Sequence, residues 1–283
     1  MSVVYRAYDP SLDRNVALKL IAPWEDDGTY ARLEREARSM AQLQHPNVAM
    51  IHEVGFHEGR CYIAMELVEG QTAKHWVAET ARPWSEVLRV YLQAGRGLLA
   101  AHRAGFVHRD FKPTNVLVGD DRRVRVVDFG LARPVVYDSS GDLLLPGETN
   151  PEMMLPADDD DRPADDTQPS DVTKTGIISG TPAYMAPEAH AGEIATPLSD
   201  QFAFSVSLWE ALYRQRPFAG RTAFAVAHAI AEGDISAPPH RSRVPSWIEQ
   251  LLRRGLSVDP NDRFDSMGAM LAAFLFTWRV FYT

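Results

Sequence analysis

Apolar and polar positions change their period along the chain, and each change marks a new kind of element. Val3 to Tyr8 and Asn15 to Ile21 are β-branched and aromatic runs separated by Asp9, Pro10, Ser11, Leu12, Asp13 and Arg14, which predicts a β-hairpin. Tyr30 to Leu43 carries Leu33, Ala37, Met40 and Ala41 at helical spacing, an amphipathic helix stopped near His45 and Pro46. Two strands follow, around Ala49 to Phe56 and Arg60 to Glu66, joined by a turn at Glu58 and Gly59. The first part of the chain therefore reads as a small, mostly β lobe with one helix.

After Glu69 and Gly70 the period becomes helical. Helices are predicted over Ala73 to Ala81 and Ser85 to Ala104, with Ser85 as a cap and Leu88, Tyr91, Leu92, Leu98 and Leu99 on one face. Val116 to Val118 and Val124 to Val127 read as short strands around Gly119, Asp120 and Asp121, a hairpin that sets the residues before Val116 beside those after Val127. From Pro134 to about Val172 periodicity is lost among Pro, Gly, Ser and a run of aspartates, the composition of a disordered insertion. Order is expected to resume at Thr173, with helices over roughly Ser199 to Tyr213, Ala223 to Glu232, Pro245 to Leu256 and Ser266 to the end. The expected fold class is α+β, with a small lobe over 1–68 and a larger, mostly helical lobe over 69–283 that carries the insertion at about 134–172.

Composition changes this picture little. The chain has 283 residues, 45% hydrophobic and 24% charged, enough for a substantial core. Its net charge of −9 gives no support to a general nucleic-acid-binding surface. The lone Cys61 excludes an internal disulfide and, in a β-like run, reads as a buried small apolar residue. No apolar run reaches the ~18 residues that a membrane span needs, so a cytoplasmic chain is expected.

Chemistry is concentrated in His108, Arg109, Asp110, Phe111, Lys112, Pro113, Thr114 and Asn115, followed by Asp128, Phe129 and Gly130. A carboxylate, a lysine and two oxygen ligands in so short a span, together with Val16, Ala17, Leu18, Lys19 upstream, resemble the signature of a eukaryotic-type serine/threonine protein kinase of the kind also found in bacteria. Thr181, Pro182, Ala183, Tyr184, Met185, Ala186, Pro187, Glu188 and Asp259, Pro260, Asn261, Asp262, Arg263 extend the resemblance over nearly the whole chain.

The resemblance implies a two-lobed kinase fold that transfers the γ-phosphate of ATP to Ser or Thr hydroxyls of protein substrates. It gives Lys19 the ATP phosphates and a helix carboxylate, Glu36, with Glu34 as nearest competitor. Asp110 becomes the base that accepts and orients the substrate hydroxyl, Lys112 the contact to the transferring phosphate, and Asn115 and Asp128 the ligands of Mg²⁺ or Mn²⁺. Val4 and Ala17 would lie above the adenine and Leu117 below it, with Met65 as gatekeeper and Glu66, Leu67 and Val68 as the hinge. Thr173 and Thr175 are expected autophosphorylation sites whose phosphates Arg109 would bind. Glu188 would pair with Arg263, and Asp200 would anchor the catalytic-loop backbone.

The pattern departs from the family at the phosphate-covering loop. Ser2 sits at the third glycine, and the first two glycines and the first strand are absent. A start placed late and a true truncation both remain open, and the second keeps a pseudokinase or binding scaffold as the alternative. A small-molecule phosphotransferase of similar fold is a third reading, weakened by Lys112 and the activation-segment match. At the other end, Leu271 to Tyr282 is read as a last packed helix or the start of a juxtamembrane segment.

Overall fold

The computed structural model describes residues 3–21, 37, 39–57, 60–129 and 182–282. Four antiparallel strands form the first sheet, in the order β1 (Val3–Asp9), β2 (Arg14–Leu20), β4 (Arg60–Glu66), β3 (Ile51–His57). The β1–β2 turn is set by Asp9, whose carboxylate accepts the amides of Ser11 at 3.0 Å and Leu12 at 3.3 Å. Register pairs Val4 with Lys19, Arg6 with Ala17, Ala17 with Met65 and Lys19 with Ile63. Directly paired and alternate residues share a face, so Val4, Ala17, Lys19, Ile63 and Met65 line one side of this sheet. Ile63 and Cys61 on that side pack with Ile21 and Ala37 into a small core. Of the helix predicted over Tyr30 to Leu43, Ala37, Ser39 and Met40 are helical. Its N-terminal part, with Glu34 and Glu36, lies outside the described residues, as do the turn at Glu58 and Gly59 and the aperiodic stretch 134–172.

The stretch from His45 to Met50 crosses to the second lobe and is stitched there. Val126 donates its amide to Asn47 O at 2.9 Å, Ala49 donates to Val126 O at 3.0 Å, and Asn47 Nδ2 donates to Val124 O at 2.8 Å. A Cβ at Gly97 would come within 2.3 Å of Asn47 O, so only glycine lets the loop rest on the helix beneath it.

That second lobe begins with a three-stranded sheet, β5 (Gly70–Thr72), β6 (Val116–Gly119) and β7 (Val124–Val126) in that order. Around it lie α1 (Ala73–Glu79), α2 (Trp84–Arg103), α3 (Pro187–His190), α4 (Pro197–Tyr213), α5 (Ala223–Ala231), α6 (Ser246–Gly255) and α7 (Met267–Tyr282). Helix α4 is buried nearly all round and forms the axis of the core, with Phe202, Phe204, Leu208 and Trp209 against Leu88, Tyr91 and Leu98 of α2, Leu252 of α6 and Phe274 of α7.

Helices α6 and α7 start within one residue of expectation, whereas α2 and α4 are capped differently from what the sequence predicts. Ser85 does not cap α2, because the helix begins earlier, after Pro83, which makes no side-chain cap. Trp84 fixes this start by packing on Trp247 at 6.2 Å and on Trp278 at 5.4 Å, so tertiary contact overrides the capping signal. Helix α4 begins at Pro197 rather than Ser199. Thr196 is its cap, and Ser199 returns the hydrogen bond to the Thr196 amide at 3.0 Å in a capping box.

Candidate active site

Helix α2 ends at Arg103 and the chain turns through Gly105, at φ 83°, to deliver His108 to Asn115 under the first sheet. Burial fixes the start of this loop. His108 is fully buried, its Nε2–H donates to Val127 O at 3.0 Å, and its Nδ1 accepts the Asp110 amide at 3.3 Å. Acceptance at Nδ1 requires the neutral ring, and burial, against the opposing charges of Asp200 and Asp110, lowers its pKa from the ordinary value. The ring packs on Phe129 at 4.6 Å and Phe111 at 5.7 Å. His108 thus clamps the loop that carries Asp110 to the strand end that carries Asp128.

Asp200, in the first turn of α4 and almost fully buried, holds the same loop from below. Its carboxylate accepts the amides of His108 at 2.7 Å and Arg109 at 2.9 Å, and His102 Nε2 lies 2.8 Å from it. These bonds keep Arg109 in the left-handed region at φ 65°, and Asp128 shares that conformation at φ 59°. Two non-glycine residues in a sparsely populated backbone region mark a loop over-determined by its surroundings. His102 had no role in the sequence reading. Its signal was position, since it continues the buried Tyr91, Leu98 stripe of α2 by one more turn.

Asp110, Lys112 and Asn115 converge. Lys112 Nζ meets Asp110 Oδ2 at 2.9 Å. Asn115, on a 3₁₀ turn over Pro113–Asn115, donates Nδ2 to Asp110 O at 2.8 Å and lies 3.4 Å from Asp110 Oδ2. This orients the amide and leaves Asn115 Oδ1 without a hydrogen bond among the described residues. Val127 donates its amide to Asn115 O at 3.0 Å, so Asn115 and Asp128 flank one backbone contact. Across the cleft, Lys19 Nζ reaches Asp128 Oδ1 at 2.9 Å. Glu36, its expected partner, lies outside the described residues.

Lys19, Met65, Asp128 and Phe129 line a narrow hollow that runs inward between the lobes past Ile63 and Val126. Ala17 shares its sheet face, Val4 is half exposed at the sheet edge, and Leu117 lies on β6 opposite Thr72. Glu66 donates its amide to Met50 O at 2.8 Å and turns its carboxylate to Arg125 at 2.6 Å, so neither group faces the hollow. Val68 is half-buried at the lobe crossing. A second hollow adjoins Asp110 and is walled by Arg109, Met185, Ala186 and Ala189. Thr173 and Thr175 lie outside the described residues.

Further down, Glu188 on α3 meets Arg263 through two bonds of 2.8 Å, and Ser199 donates to the same carboxylate at 2.8 Å. Burial pulls the Glu188 carboxyl upward, but the hydrogen bonds and charge of Arg263 outweigh it and hold the pKa below the ordinary value.

The family profile described as "Protein kinase domain" matches residues 1–275. The chain belongs to the protein kinase domain family. It is similar to serine/threonine-protein kinase PknL of Mycobacterium bovis, 33% identical over 96% of this chain and 62% of that protein. Serine/threonine-protein kinase PknA of Mycobacterium tuberculosis is 34% identical over 95% of this chain and 56% of its own length. The kinase pkn3 of Myxococcus xanthus is 34% identical over 96% of this chain and 47% of its own. The chain therefore spans about three fifths or less of the length of these relatives.

Protein kinase domains in general use ATP and a divalent metal. The residues present fit such an ion. Among the described residues no cluster of three His, Cys, Asp or Glu could cage a metal, yet Asn115 Oδ1 and the outer oxygen of Asp128 are hard ligands on one side of the cleft. One or two such oxygens completed by phosphate and water suit Mg²⁺. No described helix is long and apolar enough to cross a membrane.

Proposed function

We propose that this domain is a serine/threonine protein kinase, transferring the γ-phosphate of ATP to Ser or Thr hydroxyls of protein substrates in the cytoplasm. The observation that carries the reading is the convergence of Asp110, Lys112 and Asn115 opposite the Lys19–Asp128 pair, on a loop locked by His108 and Asp200. Phosphoryl transfer needs positioning and neutralised charge more than covalent chemistry, and a pre-locked loop supplies positioning.

In this reading Asp110 accepts the hydrogen bond of the attacking hydroxyl and takes its proton. Lys112, already beside Asp110, neutralises the phosphate in flight. Lys19 and Glu36 set the ATP phosphates, and Asn115 and Asp128 hold Mg²⁺ or Mn²⁺, which supplies charge neutralisation at the phosphate oxygens. Val4, Ala17, Met65 and Leu117 enclose the adenine, with the backbone of Glu66 to Val68 as the hinge between lobes at 1–68 and 69–283. Phosphates on Thr173 and Thr175 would be read by Arg109. The hollow beside Asp110, floored by Met185, Ala186 and Ala189, suits an extended substrate segment with an apolar side chain next to the accepting hydroxyl. A scaffold without turnover draws no support from a site in which lysine, base and both oxygen ligands are present.

The test is transfer of labelled phosphate from ATP with Mg²⁺ to protein. Asp110→Asn should lower the rate by about 10²–10⁴-fold, the usual contribution of a positioned base, with Tm unchanged. Transfer undiminished in the variant would overturn the assignment.

A further inference from the structure

Strand alternation builds a third cavity, on the far side of the lobe junction. Met65, Ile51 and Val126 face the nucleotide hollow, whereas their neighbours Glu66, His52 and Arg125 face a separate, solvent-open space of about 510 Å³. Its other walls are Gln44, His45, Pro46, Val48 and Met50 from the loop between the lobes and Arg123 from β7's approach. Because that loop is bonded to Val124 and Val126, the walls are fixed from both lobes.

The polar groups here are biased toward donors. Asn47 donates its amide to His45 Nδ1 at 3.1 Å, and Arg14, which can only donate, lies 3.5 Å from His52 Nδ1. Each neutral ring therefore carries its proton on Nε2, and neither Nε2 has a partner among the described residues. The acids are already committed: Asp121 binds Arg125 through both oxygens at 3.0 and 2.8 Å, and Glu66 binds it at 2.6 Å. Among the described residues the Arg123 side chain reaches only the already engaged Asp121, at 3.9 Å, with 65% of it exposed. Burial and the nearby charges of Arg96 and Arg14 lower the pKa values of His45 and His52, while Glu66 and Asp9 oppose this at His52. The carboxylates are thus engaged while the His45 and His52 Nε2–H groups and the exposed Arg123 guanidinium are left as donors, an arrangement suited to an acceptor-rich ligand.

We propose that this rear cavity binds a phosphate-bearing anion, held by the Nε2–H groups of His45 and His52 and by the Arg123 guanidinium. The site does not depend on the kinase reading, since none of these groups reaches the catalytic cleft. Its size admits a phosphorylated side chain as well as free phosphate.

Proton NMR of the histidine Cε1–H signals, assigned by substitution, tests the site in the whole chain at neutral pH. Inorganic phosphate and O-phosphoserine are titrated separately. The His45 and His52 signals should move saturably in the millimolar range or below. Arg123→Gln should weaken binding about tenfold, one charge-assisted hydrogen bond, while Arg122→Gln, outside the cavity, leaves it within about twofold. Tighter binding of O-phosphoserine assigns a phosphorylated side chain as the ligand, and equal binding assigns a free phosphate oxyanion. Signals that stay still with millimolar ligand, or move alike in Arg123→Gln and the parent, overturn the proposal.

Discussion

Arg263 and Glu188 meet through two parallel contacts of 2.8 Å with no guanidinium surface exposed, whereas Lys19 and Asp128 meet through one contact of 2.9 Å with a third of the Asp128 side chain open. The five N–H groups of Arg263 are all used: besides Glu188 they reach Ser257 O, Leu198 O and Val258 O. Among the described residues Lys19 has two further donors without a partner, and Asp128 has an uncommitted oxygen. A saturated pair can only hold structure together. One with spare valence can accept a ligand, and it sits where the cleft opens.

The largest expected effect tests the first half of this contrast. Arg263→Ala strands a buried carboxylate and three carbonyls, so it should cost about 3–5 kcal/mol and lower Tm by roughly 10 °C in calorimetry. Lys19→Met should change stability by no more than about 1 kcal/mol, because solvent reaches Asp128, yet it should abolish most phosphate transfer. Equal stability losses in the two variants would break the contrast.

Acid sharpens it next. Glu188 has a folded pKa below its ordinary value of 4.5, so the unfolded chain takes the proton first as pH falls. Its contribution is complete above pH 4.5 and is lost as pH drops through the folded value. His108, held neutral with a pKa below 6.5, acts in the same direction from a higher pH, since the unfolded ring protonates first. Denaturant unfolding followed against pH should therefore weaken in two stages, below about 6.5 and again below about 4.5. Glu188→Gln should remove much of the second stage and keep the first. A variant curve parallel to the parent's would show that Glu188 is not the titrating group.

The same distinction governs what the sequence could disclose. The hairpin β1–β2, the long helices α2 and α4 and the β6–β7 hairpin were legible because their period repeats locally. Asp110, Lys112 and Asn115 were legible as a cluster because they fall within six consecutive residues. What sequence hid were contacts closed over long separations. Trp84 reaching Trp247 and Trp278 moved the start of α2 past its capping signal, and His102 meets Asp200 from 98 residues away. The rear cavity was hidden differently, since alternation along β3, β4 and β7 places its residues one position off the apolar ones that a core reading selects.

Ser199 gives the finest test, because it belongs to both halves of a capping box and to the saturated pair. Its hydroxyl oxygen accepts the Thr196 amide at 3.0 Å while its proton goes to Glu188 Oε1 at 2.8 Å. Ser199→Ala removes both bonds but leaves the two Arg263 contacts, so Glu188 keeps its charge partner. The expected loss is about 1–2 kcal/mol, one cap and one hydrogen bond to a charged group, well short of the Arg263→Ala effect. The double variant separates the two roles. If Ser199 acts mainly through Glu188, its substitution in an Arg263→Ala background should cost a different amount than in the parent, and the coupling reads out as non-additivity in a double-mutant cycle. Strict additivity would assign its contribution to capping α4 alone, and with it the placement of Asp200 beneath the His108–Asn115 loop.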